Sequence, residues 1–217
     1  MTDVPLYVFD AYGTLFDVHS AVARHRDAIG PQAERLSELW RTKQLEYSWV
    51  LSLMGEYRDF WALTEEALDF AAARCGGISA AVRSGLLSAY QTLEAYPDAM
   101  PCLTRLKARG AKTAILSNGS PAMLAAAVES AGLAGLVDAC LSVDAVRVFK
   151  TAPAAYGLVE AHFGVQPGGV SFQSSNRWDV AGAARFGFCA LWINRTGMPE
   201  EYAGWAAAKV LGGLAEV

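Results

Sequence analysis

The sequence predicts an α/β fold, with a Rossmann-like parallel sheet core flanked by helices and an inserted helical cap domain. Three observations predict it. Short β-rich runs alternate with helical patterns in the second half of the chain, a near-continuous apolar run stands at residues 6–10, and a long segment without a convincing strand separates the two. Such alternation is typical of a parallel sheet covered by helices. We expect a core domain of residues 1–16 and 96–217 and a cap domain of residues 17–95.

The first predicted strand, LYVFD at residues 6–10, has the almost unbroken hydrophobicity of a strand that is buried on both faces. We therefore expect it in the centre of the sheet. The later elements alternate as strand KTAIL, a helix from Pro121 to Ala131, strand VDACLSV, a helix near Ala152 to Phe163, strand VSFQSS, a helix near Val180 to Phe186 and strand FCALWI.

The segment from residue 17 to residue 95 carries long helical stretches, among them PQAERLSELWRTKQLEYSWVLSLM, which Pro31 can open as a first-turn residue. A parallel crossover needs only about a dozen residues, so this segment is too long for a simple connection and predicts a cap over the sheet. On its helix, Arg41 and Leu45 share one face. An isolated arginine there is usually solvated, so a role for Arg41 depends on what lies below it.

Composition bounds the class of protein. The chain has 217 residues, is 53% hydrophobic and carries 18 basic against 22 acidic residues, without a block of like charge. It can therefore fill a sizeable core, and neither nucleic acid nor an anionic membrane is an expected partner. Four widely spaced cysteines in apolar surroundings favour reduced core thiols over disulfides or zinc. Without a targeting segment or an apolar run of membrane-spanning length, we expect a cytoplasmic protein.

Polar and charged side chains follow the predicted strands and the apolar run VRVF, which we group with the strands. These side chains are Asp10, Ser117, Asn118, Lys150, Asn176 and Asp179. In open α/β sheets, ligands bind outside the carboxyl ends of the strands. If these strands are neighbours, one crevice receives two carboxylates, a lysine and several amide and hydroxyl groups. An aspartate after a strand is more often a turn former or a helix N-cap than a catalyst. It is the joint occurrence of these groups that predicts an active site.

Five motifs, FDAYGTLFDV, WRTKQLEYSW, LSNGSP, VRVFK and SSNRWDVAGA, occur in the order typical of the L-2-haloacid dehalogenases, and the match spans nearly the whole chain. The sequence resembles this family of the haloacid dehalogenase superfamily. The resemblance implies hydrolysis of a small 2-haloalkanoic acid to a D-2-hydroxy acid and halide without a cofactor. The family often forms homodimers, and the apolar cap helices could supply an interface or face their own sheet.

The larger superfamily comprises magnesium-dependent phosphatases, which carry a second aspartate two positions after the nucleophile. Tyr12 stands there in this chain, and Ser175 and Asn176 occupy part of the fourth motif, which leaves Asp10 and Asp179 as carboxylates. Magnesium needs hard oxygen ligands, and a phosphate-ester leaving group needs a proton donor, whereas halide does not. The pattern favours displacement at carbon without a metal. A magnesium-dependent phosphatase and a non-catalytic carboxylate-binding member remain alternatives.

The resemblance also implies catalytic roles. Asp10 attacks the halogen-bearing carbon to form an aspartyl ester, Lys150 orients it and stabilises developing charge, and Asp179 is the base that assists water. The hydroxyl groups of Thr14 and Ser174 hold this arrangement through hydrogen bonds, and the amide of Asn176 completes the catalytic set.

Polar groups for the substrate carboxylate and for the halide are implied in the same way. Ser117, with backbone N–H groups near Ala11 and Tyr12, resembles the family's carboxylate site. Arg41 and Asn118 match its halide cradle, which needs positive or N–H-bearing groups.

Five apolar or aromatic positions complete the implied site. The ring of Trp178 adds to the halide cradle. Water is excluded during the first step by Tyr12, Leu45 and Phe60. Tyr156 packs against or hydrogen-bonds to groups near Lys150. Plain core packing is the competing interpretation for all five.

Three positions depart from the family pattern. Thr151 stands where proline is common, so the chain after the lysine is less rigid. Gln173 replaces a more usual apolar residue. Arg177 replaces a small residue, and we expect it to face solvent, although a positive charge there could also attract an acidic substrate.

Overall fold

A computed structural model describes residues 6–217 of the chain. Residues 1–5, which belong to the predicted core domain and to the stretch in which no targeting segment is expected, lie outside this range. The predicted fold class is confirmed, since a parallel sheet flanked by helices forms the core and a helical insertion follows its first strand. The boundaries of the two predicted domains stay a prediction.

Six strands form one sheet: β1 (Leu6–Phe9), β2 (Lys112–Ser117), β3 (Ala139–Ser142), β4 (Val170–Ser174), β5 (Cys189–Ile193) and β6 (Lys209–Leu211). Their order is β3-β2-β1-β4-β5-β6, and all neighbours are parallel. The first strand is central, as predicted. Since the chain builds the sheet outward in both directions from β1, the switch in strand order lies between β1 and β4, where open α/β sheets place their ligands.

The helices are α1 (Ser20–Ala23), α2 (Arg26–Ile29), α3 (Ala33–Met54), α4 (Phe60–Arg74), α5 (Ala80–Gln91), α6 (Ala99–Ala108), α7 (Pro121–Ser130), α8 (Pro153–Phe163) and α9 (Arg177–Phe186). The first five belong to the predicted cap segment. Local signals define several ends: Asp59 and Ser79 accept hydrogen bonds from first-turn N–H groups of α4 and α5, and Gly55 ends α3 in the left-handed conformation.

Some predicted boundaries are wrong. The long cap helix begins at Ala33 rather than at Pro31, because a 3₁₀ turn at Gly30–Gln32 precedes it. The helix expected from Val180 already begins at Arg177. The apolar run before Lys150, grouped above with the strands, forms turn and loop structure. Burial explains its composition, since Phe149 is fully buried without strand pairing.

Two buried clusters cover the sheet. One contains Phe9 and Ile115 and continues into cap residues such as Leu36 and Trp40. The other contains Val8 and its neighbours on the opposite face of the sheet. The cap therefore shares its apolar core with one face of the sheet, and this packing fixes the cap helices above the carboxyl end of β1.

The four cysteines are free thiols, as expected. Their expected burial is wrong for Cys140 and Cys189, which are exposed, whereas Cys102 lies in the core. Within residues 6–217, no helix combines the length and the hydrophobicity that crossing a membrane requires.

Candidate active site

Asp10 lies directly beyond β1, at the switch in strand order. Its backbone N–H donates to Gln173 O on β4 at 2.9 Å, which ties the nucleophile candidate to the neighbouring strand. The chain then turns back, and the N–H groups of Leu15 and Phe16 donate to Ala11 O. Gly13 makes this turn at φ 94°, a conformation that glycine adopts without strain. The turn brings Thr14 back over the aspartate.

Three side chains donate hydrogen bonds to the Asp10 carboxylate. Thr14 Oγ1 and Asn176 Nδ2 donate to Oδ2 at 3.0 and 2.8 Å, and Lys150 Nζ donates to Oδ1 at 3.0 Å. Asp10 is only 5% exposed. A buried carboxylate is costly unless it is paired and hydrogen-bonded, and these donors supply that compensation. They also fix the direction in which the remaining lone pairs point.

Lys150 joins Asp10 to a second buried carboxylate. Its ammonium donates to Asp179 Oδ2 at 2.9 Å, and the hydroxyl of Tyr156 donates to Asp179 Oδ1 at 2.8 Å. Burial raises the pKa of Asp179 to about 6, with Asp10 adding to the effect and Lys150 opposing it. For Lys150, burial lowers the pKa, but the two carboxylates outweigh it and the net direction is upward. The lysine therefore stays charged between two acids.

Two neighbouring elements hold the loop that carries Lys150. Its backbone N–H donates to Asn118 Oδ1 at 2.9 Å, at the end of β2. The preceding N–H, of Phe149, donates to Ser52 Oγ on cap helix α3 at 3.2 Å. The Lys150–Thr151 peptide bond is cis. The lysine is thus positioned by the sheet on one side and by the cap on the other.

The turn after β4 connects the remaining predicted catalytic groups. Ser174 Oγ accepts from Asn176 N at 3.1 Å, and Thr14 Oγ1 accepts from Ser175 N at 2.8 Å. The threonine hydroxyl therefore has its proton free for Asp10. Ser174 holds the backbone of Asn176, and the side-chain amide of Asn176 contacts Asp10. The serine therefore acts on the site through Asn176.

Two polar residues predicted for ligand binding lie at the carboxyl end of β2, where Ser117 is the last residue of the strand and Asn118 follows it. Ser117 and Asn118 are 1% and 6% exposed. Ser117 Oγ accepts from Gly119 N at 3.0 Å. A Cβ at Gly119 would lie 2.7 Å from the Tyr12 ring, so the absence of a side chain lets Tyr12 close over this turn. Tyr12 itself follows Ala11 in the turn beyond β1, and both are buried.

Cap side chains reach the same region. Arg41 Nη2 donates to Tyr12 O at 3.2 Å, so the predicted cap arginine meets the loop that carries Asp10. Phe60 is buried, with its ring centroid 6.4 Å from that of Tyr12. Leu45 is half-buried on α3, one turn beyond Arg41.

Trp178 lies in the first turn of α9, where it contacts the cap. Its ring packs edge-to-face on Trp49 of α3, with 5.4 Å between centroids. Both tryptophans line a groove of about 600 Å³ that also contains Leu53 and Arg185.

Arg177 corrects an expectation. It is 5% exposed rather than solvent-facing, and its Nε donates to Glu200 Oε1 at 2.6 Å. Its guanidinium also donates to Trp205 O at 2.9 Å. Because Glu200 compensates its charge, Arg177 anchors the segment after β5 rather than adding an open positive charge. Gln173, which also departs from the family pattern, lies on β4, is fully buried and donates to Ser171 Oγ.

Sequence reasoning missed three further side chains near the site. Arg195 donates to Thr14 O at 3.2 Å and forms a paired contact with Asp98. It follows β5, so the rule on strand ends could have found it. Gln44 and Tyr90 are buried in the cap beside Arg41, and a polar residue on the buried face of α3 was the available signal.

The donor set does not fit the magnesium ion of the superfamily's phosphatases. Both oxygens of Asp10 and both of Asp179 face N–H or O–H donors, and the Lys150 ammonium stands between the two acids. Magnesium needs oxygen ligands, whereas Asn176 turns its NH₂ group toward Asp10. Across residues 6–217, no three His, Cys, Asp or Glu side chains are grouped to hold a metal.

The chain matches the family model of the haloacid dehalogenase-like hydrolases over residues 4–187. The chain is 49% identical to (S)-2-haloacid dehalogenase 1 of Pseudomonas sp. (strain CBS-3), across 93% of this chain and 89% of that protein. It is 50% identical to (S)-2-haloacid dehalogenase 4A of Burkholderia cepacia, across 90% and 85%.

A solved structure gives a similar result. The L-2-haloacid dehalogenase from Xanthobacter autotrophicus, with chloropropionic acid covalently bound, superposes with a TM-score of 0.90 at 41% identity. The match covers 98% of this chain and 96% of that one.

Proposed function

Because the chain belongs to the haloacid dehalogenase-like hydrolases and, within them, to the (S)-2-haloacid dehalogenases, we propose that it hydrolyses short-chain L-2-haloacids through an aspartyl ester on Asp10, without a metal ion. The products are D-2-hydroxy acids and halide. The observation that carries the proposal is the buried Asp10 carboxylate, held by Lys150 and by two further donors at one end of the sheet.

In the first step, an oxygen of Asp10 attacks C2 of the haloacid from the side opposite the halogen. The new C–O bond forms as the carbon–halogen bond breaks, and the halide leaves with the bonding electron pair. Configuration at C2 inverts. No proton is needed for this departure, which suits a site with Tyr12 where the phosphatases carry their acid. We assign the departing halide to Arg41, Asn118 and the ring of Trp178, and the substrate carboxylate to Ser117 with N–H groups of the loop after Asp10.

In the second step, water attacks the carboxyl carbon of the Asp10 ester. Asp179 accepts the proton of that water, and burial, which raises its pKa, makes it a stronger base than an exposed carboxylate. Tyr156 holds Asp179 in place, and Lys150 stabilises the negative charge on the tetrahedral intermediate. The ester bond then breaks, Asp179 returns the proton to the departing C2 oxygen, and the hydroxy acid is released with its C2 configuration unchanged in this step.

The burial of the site supports the roles proposed for Asp10 and Lys150. Tyr12 is buried two residues after Asp10, Phe60 is buried next to the Tyr12 ring, and Leu45 lies on cap helix α3. Excluding water protects the nucleophile from solvation and strengthens its interaction with Lys150. The relative from Xanthobacter autotrophicus, solved with chloropropionic acid covalently bound, supports a covalent route in this family.

Halide release from L-2-chloropropionate tests the proposal. We expect release by the native enzyme, with D-lactate as the organic product, and none by the Asp10→Asn variant. Asp27→Asn, on the exposed surface of α2, is the matched control and should behave as the native enzyme does. Equal release by Asp10→Asn, or formation of L-lactate, would overturn the proposal.

A further inference from the structure

We propose that Gln44 and Tyr90 are positioning residues that aim the guanidinium of Arg41 at the departing halide. This inference rests on the proposed function, because it assigns a role to the residues behind one wall of that site. Neither residue belongs to the set that the sequence motifs predict.

Gln44 lies three residues after Arg41 on α3, which places the two side chains on one face of the helix. Its amide oxygen accepts from Arg41 Nη1 at 2.9 Å, and the residue is 1% exposed. A hydrogen bond to a charged donor in a dry setting is stronger than one between neutral groups. The contact therefore restricts the rotation of the guanidinium.

The orientation of the Gln44 amide follows from its other neighbours. Thr64 gives its hydroxyl proton to Phe60 O at 2.7 Å, so its oxygen can only accept from Gln44, and Gln44 Nε2 lies 2.7 Å away. The amide nitrogen must face Thr64. Its oxygen therefore faces Arg41 and cannot exchange places with the nitrogen without losing both contacts.

Tyr90 completes the buried cluster from α5. Its hydroxyl accepts from Gln44 Nε2 at 3.0 Å and donates to Gln44 Oε1 at 3.1 Å. Burial raises the pKa of Tyr90, although Arg41 opposes the effect, so the phenol is neutral at neutral pH and remains a donor. Its ring stacks on Tyr12, with 5.8 Å between centroids. Tyr90 thus contacts both the amide that holds Arg41 and the loop that follows Asp10.

The other end of the guanidinium is fixed to the core. Arg41 Nη2 donates to Tyr12 O, which also accepts from Asn176 Nδ2 at 3.1 Å. The same Asn176 amide group donates to Asp10 at 2.8 Å. A continuous series of hydrogen bonds therefore runs from the buried cap cluster to the nucleophile, and it sets the guanidinium relative to the carboxylate that attacks C2.

Single-turnover kinetics test this inference. Gln44→Met keeps the length of the side chain but loses the acceptor, and Tyr90→Phe keeps the ring but loses the hydroxyl. We expect Gln44→Met to slow halide release about tenfold and Tyr90→Phe about threefold, as loss of hydrogen bonds to a charged or neutral partner predicts. Hydrolysis of the preformed ester should stay within about twofold of the native rate, because that step does not use Arg41.

A double-mutant cycle separates positioning from general stability. In an Arg41→Lys background, Gln44→Met should change halide release by less than about twofold. Tyr47→Phe, six residues further along α3 than Arg41, is the control and should match the native enzyme. The inference would be overturned if Gln44→Met slowed halide release as much in the Arg41→Lys background as in the native enzyme. It would also be overturned if the variants slowed halide release and ester hydrolysis equally, or if neither variant slowed halide release. If Gln44→Met does not fold, Tyr90→Phe decides alone by the same criteria. Failure of the native enzyme to release halide would instead overturn the proposed function.

Discussion

The ammonium nitrogen of Lys150 lies 3.0 Å from Asp10 Oδ1, and both side chains are almost completely removed from solvent. The same nitrogen lies 2.9 Å from Asp179 Oδ2. One buried ammonium group therefore compensates the charge of two buried carboxylates. This excess of negative charge makes the site depend on its lysine and makes its second acid sensitive to pH.

Replacing Lys150 by methionine should impair both folding and catalysis. The substitution leaves Asp10 and Asp179 without their cation, and removing one partner of a buried ion pair costs about 3–5 kcal/mol. We expect a loss of that order in urea unfolding at pH 8, and a smaller loss at pH 5, where Asp179 takes up a proton. Halide release should fall by about 100-fold or more. Lys112→Met, with its side chain 65% exposed, should unfold at nearly the native urea concentration. A Lys150→Met variant as stable as the native protein at pH 8 would contradict the arrangement.

Asp179 should make the protein less stable as the pH rises. Its pKa in the folded chain, about 6, lies above the ordinary value of 3.8, so folding favours the protonated acid. The favourable contribution is complete below about pH 4 and is lost as the pH rises through 6. The full difference corresponds to roughly 3 kcal/mol.

The Asp179→Asn variant measures this contribution, because asparagine is neutral at every pH. Its free energy of unfolding relative to the native protein should increase between about pH 4 and pH 6 and stay constant above. The Asp69→Asn variant is a control whose pH dependence of stability should have the opposite sign, because the hydrogen bond from Arg83 lowers the pKa of Asp69. A stability difference for Asp179→Asn that does not depend on pH would contradict the raised pKa.

The pH dependence of turnover should report the same acid. As the proposed base, Asp179 must be ionised, so kcat should fall on the acid side with a slope of one on logarithmic axes. The fall should begin below pH 6, because esterification removes the Asp10 charge that helps to raise the pKa of Asp179 in the free enzyme. Single-turnover measurement can assign this loss to a step. Ester hydrolysis should carry it, whereas halide formation should change less. A profile that stays flat down to about pH 3, where an ordinary aspartate is mostly protonated, would exclude Asp179 as the base.

Activity should withstand a strong chelator. The acids at the site are satisfied by Lys150, Tyr156 and other donors, and a magnesium ion would have to displace them. We expect unchanged halide release after dialysis against EDTA, and no gain when magnesium is restored. Hydrolysis of p-nitrophenyl phosphate, measured in parallel, tests the phosphatase alternative. Phosphatase activity that requires magnesium would favour that alternative.

Local hydrophobicity predicted most of the sheet. The apolar run at β1 identified the central strand because a strand buried on both faces needs such residues throughout. The same reasoning failed for the residues before Lys150, because Phe149 is buried in a loop, where it stacks on Tyr57 of the cap. Strand β6 was missed because three residues are too few to show a period.

The candidate site was predictable where its residues follow strands. Asp10 and Asn118 could be grouped because parallel strands bring their carboxyl ends together. Contacts between distant segments could not be predicted in this way. Tyr90 meets Gln44 across 46 residues, and Arg177 is buried only because Glu200, 23 residues later, compensates its charge. Nothing in the local sequence around these residues specifies such partners.

The central claim is that Asp10 becomes covalently attached to the substrate and is regenerated by water. Enzyme in excess over L-2-chloropropionate, in water enriched in ¹⁸O, should place the label in the Asp10 carboxylate during the first turnover, as seen in the mass of the peptide that contains it. The lactate formed in that turnover should carry unlabelled oxygen at C2. Label that appears at once in lactate, with none in the protein, would show direct attack of water on the substrate and contradict the account.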